Sequence, residues 1–205
     1  MSGPVFTEGE KKHEIEVNMK HIIKPACSLF LIAGITTALL GLVHALTLEP
    51  IAIQLREAQE RTMRAILTEA TDFRELPTEP SGSMIRAFEA LSGGEVIGYI
   101  VELAPVGYAG PINMMVGIST AENAIAGMRV LRHTETPGLG SHITREVFFG
   151  RFDNRPLSPI RVVRSAPGPD EIEALTSATI TTRAITDAVN EAIEWYTAER
   201  LAGRL

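Results

Sequence analysis

Residues 25–48 read PACSLFLIAGITTALLGLVHALTL, a stretch without one charged side chain. At ~1.5 Å per residue, a helix of this length crosses a hydrocarbon core of roughly 30 Å with some tilt. Gly34 and Gly41 would weaken a helix in water but are ordinary in a membrane one. A cleavable signal sequence has an apolar region of about 7–15 residues, shorter than this run, although Val43-His44-Ala45 could pass for a cleavage site. The stretch therefore reads as an uncleaved transmembrane helix. It divides the chain into a tail over 1–24, a span over 25–48 and a larger C-terminal part. His44, near the exit end, is read as reaching interfacial water rather than lining a proton path.

Charge alone gives only a slight positive-inside bias. Lys11, Lys12, Lys20 and Lys24 all precede the span, while Arg56, Arg61 and Arg64 follow it. Four glutamates in the tail cancel its lysines, so the net charge of −6 belongs to the region after the span. Long C-terminal domains cross largely regardless of charge, and the lysine-bearing short tail is the better guide. The expectation is a cytoplasmic N-terminus with the main domain outside.

Composition excludes several kinds of chemistry. The single cysteine, Cys27, lies inside the apolar span, so the chain has no intramolecular disulfide, Cys₄ iron–sulfur site or C-x-x-C-H haem signature. The five histidines show no metal-binding spacing, and the domain is too acidic for a nucleic-acid footprint. No G-x-G-x-x-G follows a strand, which excludes a nicotinamide site of that type. Any redox chemistry must come from an organic cofactor.

Beyond the span, apolar residues at Ile51, Leu55, Ala58, Met63, Ile66 and Leu67 recur at helical spacing, predicting an amphipathic helix over 51–70. Pro77, Pro80 and Ser81-Gly82-Ser83 mark the entry to a compact domain, giving a helix-and-linker region over 49–78 and a domain over 79–205. Strand-like runs follow at 84–91, 96–103, 113–118 and 124–131, with glycines at their ends. Residues 141–149 suggest a short helix and 160–163 another strand. Ala184, Ile185, Ala188, Val189, Ala192, Ile193 and Tyr196 predict a terminal helix from about Thr181 to Arg200. The fold class expected is α+β: an N-terminal transmembrane helix, then a mainly antiparallel sheet packed on a C-terminal helix.

Two segments carry chemistry. Directly before the terminal helix lies Glu173-Ala174-Leu175-Thr176-Ser177-Ala178-Thr179-Ile180-Thr181-Thr182, where five of ten residues are Ser or Thr. One reading is an N-cap, in which a hydroxyl satisfies free amides of the first turn. The other is a phosphate site, since small side chains leave backbone N–H groups accessible where the helix favours negative charge. The second segment is Glu135-Thr136-Pro137-Gly138-Leu139-Gly140, a tight turn that lets backbone approach a ligand closely; a plain surface loop would also explain it.

Together with Gly107-Tyr108-Ala109-Gly110-Pro111-Ile112, these segments resemble the FMN-binding domain of the G subunit of Rnf-type ion-translocating electron transport complexes. They also resemble its relative, the C subunit of the sodium-pumping NADH:quinone reductase. The family pattern is an acidic residue, then Ser/Thr-Gly-Ala-Thr, then a helix. Thr176 to Thr179 matches it except at Ser177, which stands where Gly is usual, and Glu173 stands where Asp is commoner. If that Gly serves a positive φ, Ser177 costs on the order of 1 kcal/mol.

The resemblance implies covalent FMN, joined by a phosphoester to Thr179 by a separate flavin transferase that uses FAD. It implies that Thr176, Ser177 and Ala178 line the phosphate and ribityl chain. Glu135, Thr136, Leu139 and Gly140 would flank the ring, with Tyr108 and Gly110 nearby. No catalytic side chain and no metal ligand is implied. The role implied is an electron relay among the other members of a complex in the bacterial inner membrane. That complex exchanges electrons between ferredoxin and NAD while moving Na⁺ or H⁺. The flavin domain would be extracytoplasmic. The quinone-reductase protein, which is typically longer, is one rival; a membrane-tethered assembly module without flavin is another.

Overall fold

A computed structural model describes residues 8–205, with side chains over 23–47 and 53–205. The tail expected over 1–24 thus lies almost wholly outside the described side chains. The chain divides into two compact units between Leu55 and Arg56. The first is helical, formed by α1 (Glu8–Ile66), whose end belongs to the second unit. Within α1, Ile23–Thr47 has a mean hydropathy of 2.2, and none of its most apolar window is buried. Phe30 is 81% exposed and Leu29 72%. So continuous an apolar surface is stable against lipid, not water. The hydroxyls of Ser28, Thr36 and Thr47 donate to carbonyls one turn back, at 3.0, 2.9 and 2.9 Å. These three hydroxyls are thereby satisfied inside the helix, as hydrocarbon requires. The chain carries a membrane anchor.

In the second unit, the end of α1 buries Met63 and Ile66, and Leu67 and Ala70 follow in a closing turn. The helix expected over 51–70 stops at Ile66. Leu55, expected on its apolar face, is 62% exposed, and Ile51 lies outside the described side chains. The expected linker contains a strand, β1 (Asp72–Leu76). Then come β2 (Met84–Ser92), β3 (Glu95–Leu103), β4 (Asn113–Ser119) and β5 (Ala124–Arg132), close to the bounds read from sequence. With β6 (Arg155–Pro156) they form a six-stranded antiparallel meander in chain order. The segment at 141–149 is a 3-10 turn (Gly140–Thr144) followed by one α-turn, α2 (Glu146–Phe149). A parallel pair, β7 (Arg161–Val163) and β8 (Glu171–Glu173), leads into α3 (Thr179–Leu201).

Both faces of the sheet are covered. Ile100 and Met115 join Met63, Ile66 and Leu67 under the end of α1. Their neighbours Val101, Met114 and Val116 point the other way and pack with Ile185, Val189 and Ile193 of α3. Burial on both faces explains why β3 and β4 read as nearly unbroken apolar runs. Glu102, buried on the α1 side, accepts from Arg86 Nε at 2.7 Å and Gln59 Nε2 at 3.2 Å.

Polar contacts fix α3 as well. Asn190 bonds both the N–H and the carbonyl of Ile160, each at 2.8 Å. The Glu191 carboxylate accepts from the Ser83 N–H at 2.9 Å and the Ser83 hydroxyl at 2.5 Å, which ties the Ser-Gly-Ser turn to the helix. Glu191→Ala should lower stability by about 2 kcal/mol, since charge-assisted hydrogen bonds are lost. Urea unfolding of the full chain in detergent, read by the single tryptophan Trp195 on α3, checks this; an unchanged midpoint would contradict it.

Candidate cofactor site

Three loops meet at the N-terminus of α3. The first joins β3 to β4: Ile112 N–H donates to the Pro105 carbonyl and Gly107 N–H to that of Gly110, both at 2.9 Å, making a tight turn with Tyr108 at its tip. The second leaves β5, and Leu139 and Ser141 N–H groups both return to the Thr136 carbonyl. In the third, Ala178 N–H closes a turn on the Leu175 carbonyl at 3.0 Å.

Glu135 joins all three. Its side chain is buried, the residue being 5% exposed. Oε1 accepts from the Ala109 N–H at 3.1 Å, and Oε2 accepts from the Thr181 hydroxyl at 2.8 Å. Two glycines make room for it. A Cβ on Gly107 would come within 2.3 Å of Oε1, and one on Gly140 within 2.2 Å of Oε2. Those distances leave no space for a side chain, so the glycines serve close approach to the carboxylate.

The Ser/Thr run is not a side-chain cap. α3 begins at Thr179, two residues earlier than expected, and its N-cap is Ala178, which has no side-chain oxygen. The Thr182 hydroxyl is engaged with the Leu175 N–H and the Ala178 carbonyl, pinning the turn to the helix. Thr181 is engaged with Glu135. No acidic side chain occupies the first turn. The positive end of a 23-residue helix is therefore without a capping side chain, and this is the setting in which an anion binds.

Beside this helix end lies a cavity of about 440 Å³, lined by Tyr108, Glu135, Thr136, Leu139, Gly140 and 177–181. It brings together Thr179, Ser177, Ala178, Glu135, Thr136, Leu139, Gly140 and Tyr108 of the expected residues. Thr176 and Gly110 are outside the lining; Thr176 is exposed, and Gly110 faces the Thr134 hydroxyl. Ile180 and Thr181 join the lining without having been expected there, because a helix starting at Thr181 puts them in the wrong turn. Tyr108, Leu139 and Ile180 are 71%, 44% and 58% exposed, offering apolar surface at the rim. The fit is to a phosphorylated, flat aromatic group: phosphate at the helix end, ring against the rim.

Ser177 sits at φ +65°, in the left-handed region. The position demands the conformation that glycine adopts freely, and here serine adopts it.

Comparison with known proteins agrees with this geometry. Residues 107–194 match the FMN-binding domain family, and 15–66 match the RnfG N-terminal region. The G subunit of the ion-translocating oxidoreductase complex of Methanosarcina acetivorans is 30% identical over 185 residues, covering 88% of this chain and 97% of that protein. The chain belongs to the G-subunit family of ion-translocating oxidoreductase complexes. A second relative is the G subunit of the Na⁺-translocating ferredoxin:NAD⁺ oxidoreductase complex of Acetobacterium woodii. It is 29% identical, with 91% of this chain and 97% of the relative covered. Among solved structures, the C subunit of the Na⁺-translocating NADH-quinone reductase from Parabacteroides distasonis shares the fold. It has a TM-score of 0.50 and 21% identity, covering 62% of this chain and 76% of that one.

Ser177→Gly should raise the stability of this protein by about 1 kcal/mol, because the left-handed conformation no longer carries a Cβ. Ser177→Val should lower it by more. Denaturant midpoints for the two variants must shift in opposite directions; a destabilising Ser177→Gly would mean that the serine hydroxyl is needed.

Proposed function

We propose that this protein relays electrons through FMN joined to Thr179 by a phosphoester. The observation that carries the proposal is the uncapped start of α3 beside a cavity whose lining includes Thr179. Among the hydroxyl residues of that lining, Thr181 already donates to Glu135. Thr179 is half-buried, stands in the first turn, and makes no side-chain hydrogen bond to the described residues. Ser177 is more exposed and strained. A phosphate on Thr179 lies within reach of the free N–H groups of the turn that bears it.

Attachment balances as a phosphoryl transfer. The Thr179 oxygen attacks the FMN-side phosphorus of FAD, a new P–O bond forms, the pyrophosphate P–O bond breaks, and AMP leaves. The hydroxyl proton passes to solvent through the transferase. The chain's own part is to present the hydroxyl, with small Ala178 and Ser177 beside it giving access. When bound, the flavin supplies reversible uptake and release of electrons. Leu139, Ile180 and Tyr108 are placed to cover the ring, and Glu135 and Thr181 hold the walls. A covalent tether keeps the cofactor on an exposed domain where reversible binding would lose it.

In this reading the partners are the other members of a ferredoxin:NAD⁺ oxidoreductase complex and a flavin transferase. The tail over 1–24 is cytoplasmic, and the domain over 79–205 lies outside a bacterial inner membrane. The support is the lysine-bearing tail and the single span at Ile23–Thr47. An alkaline-phosphatase fusion after Leu205 should be active; an inactive but stable fusion would reverse the orientation. For the cofactor, protein made with the transferase should give a fluorescent band after denaturing electrophoresis, and Thr179→Ala should abolish it. A dark wild-type band beside an active transferase would overturn covalent attachment and favour a flavin-free assembly module.

A further inference from the structure

We propose that the Glu135 carboxylate makes this cavity selective for a phosphodiester over a phosphomonoester, so that FMN is held well here only once it is esterified. This rests on the reading that Thr179 is the attachment point.

The hydrogen bonds of Glu135 do not require a charge. A glutamine could accept from the Ala109 N–H through its carbonyl and donate to the Thr181 hydroxyl, which rotates to accept. Yet the residue is a carboxylate, almost wholly buried, with no ion-pair partner among the described residues. Burying a charge that only two hydrogen bonds and a helix end offset is unfavourable, so its presence beside a ligand cavity calls for a role that an amide does not fill.

The rest of the lining gives that role. No Lys or Arg is among the cavity's lining residues. The positive element is the N-terminus of α3, equivalent to roughly half a unit charge. Glu135 is bonded to Thr181, in that helix's first turn, and so already offsets it. A phosphodiester adds one negative charge. Free FMN is a monoester carrying about 1.5 to 2 negative charges at neutral pH, and its second charge meets the carboxylate with no cation to balance it. Ordinary phosphate sites, with lysine or arginine, prefer the opposite order. The consequence for maturation is direct: loose FMN does not occupy the apo cavity, and the Thr179 hydroxyl stays open to the transferase.

The test uses the full chain made without flavin transferase, purified in detergent and titrated at about pH 7.5 by flavin fluorescence. The probes are FMN, its phosphate methyl ester and riboflavin. Wild-type protein should bind the methyl ester about tenfold or more tighter than FMN. Glu135→Gln should close that gap by tightening FMN relative to both the methyl ester and riboflavin. Wild-type protein that binds FMN as tightly as the ester overturns the proposal, and so does a gap that survives in Glu135→Gln. Failure of every flavin to bind overturns it too. Intact mass after incubation with transferase and FAD separates the two ideas. An unmodified wild-type chain sinks the Thr179 reading; a modified chain without ester preference sinks only the selectivity.

Discussion

The paired hydrogen bonds of Glu135, from the Ala109 N–H and the Thr181 hydroxyl, hold the candidate site together. One partner lies in the β3–β4 loop and the other in the first turn of α3, while the carboxylate comes from the loop after β5. Removing either bond would leave a buried charge short of donors, which is expensive in a low-dielectric interior. The glycines at 107 and 140 belong to the same constraint, because any larger residue would collide with the carboxylate. These three motifs therefore form one site, joined through a single side chain.

The geometry around α3 supports the join. Ile185, Val189 and Ile193 anchor the helix in the core, while Asn190 and Glu191 bond it to Ile160 and Ser83. A helix held along its length presents a fixed N-terminus, and preorganised backbone donors stabilise an anion more than mobile ones do. The turn before the helix is tighter than serine prefers. Ser177 at φ +65° is held by the Leu175–Thr182 and Ala178–Thr182 bonds on either side of it. Strain of that kind persists where surrounding contacts determine the backbone.

Much of this was legible in the sequence. β2 to β5 could be found because their apolar runs end in glycines or polar turns, and α3 because its apolar stripe is strict. The family pattern, with glycine at 177, raised a positive φ there only as a condition, and the structure has Ser177 at φ +65°. β1 escaped because Asp72-Phe73-Arg74-Glu75-Leu76 is a mostly charged edge strand between a helix and two prolines, without the alternation that marks a half-buried strand. The start of α3 was misjudged by two residues because Ser and Thr signal caps in isolation. In this chain a long-range bond to Glu135 engages Thr181, bonds to the preceding turn engage Thr182, and an alanine takes the cap position. The buried state of Glu135 was not readable from its own loop, since its partners lie 26 and 46 residues away.

The central claim is that the loops gathered by Glu135 present the Thr179 hydroxyl for esterification. Peptide-mapping mass spectrometry of the full chain, made with an active flavin transferase, tests it most directly. The account predicts one FMN mass per chain, with fragment ions placing it on Thr179. An adduct on Thr176, Ser177 or Thr181, or a chain that remains unmodified, would contradict it.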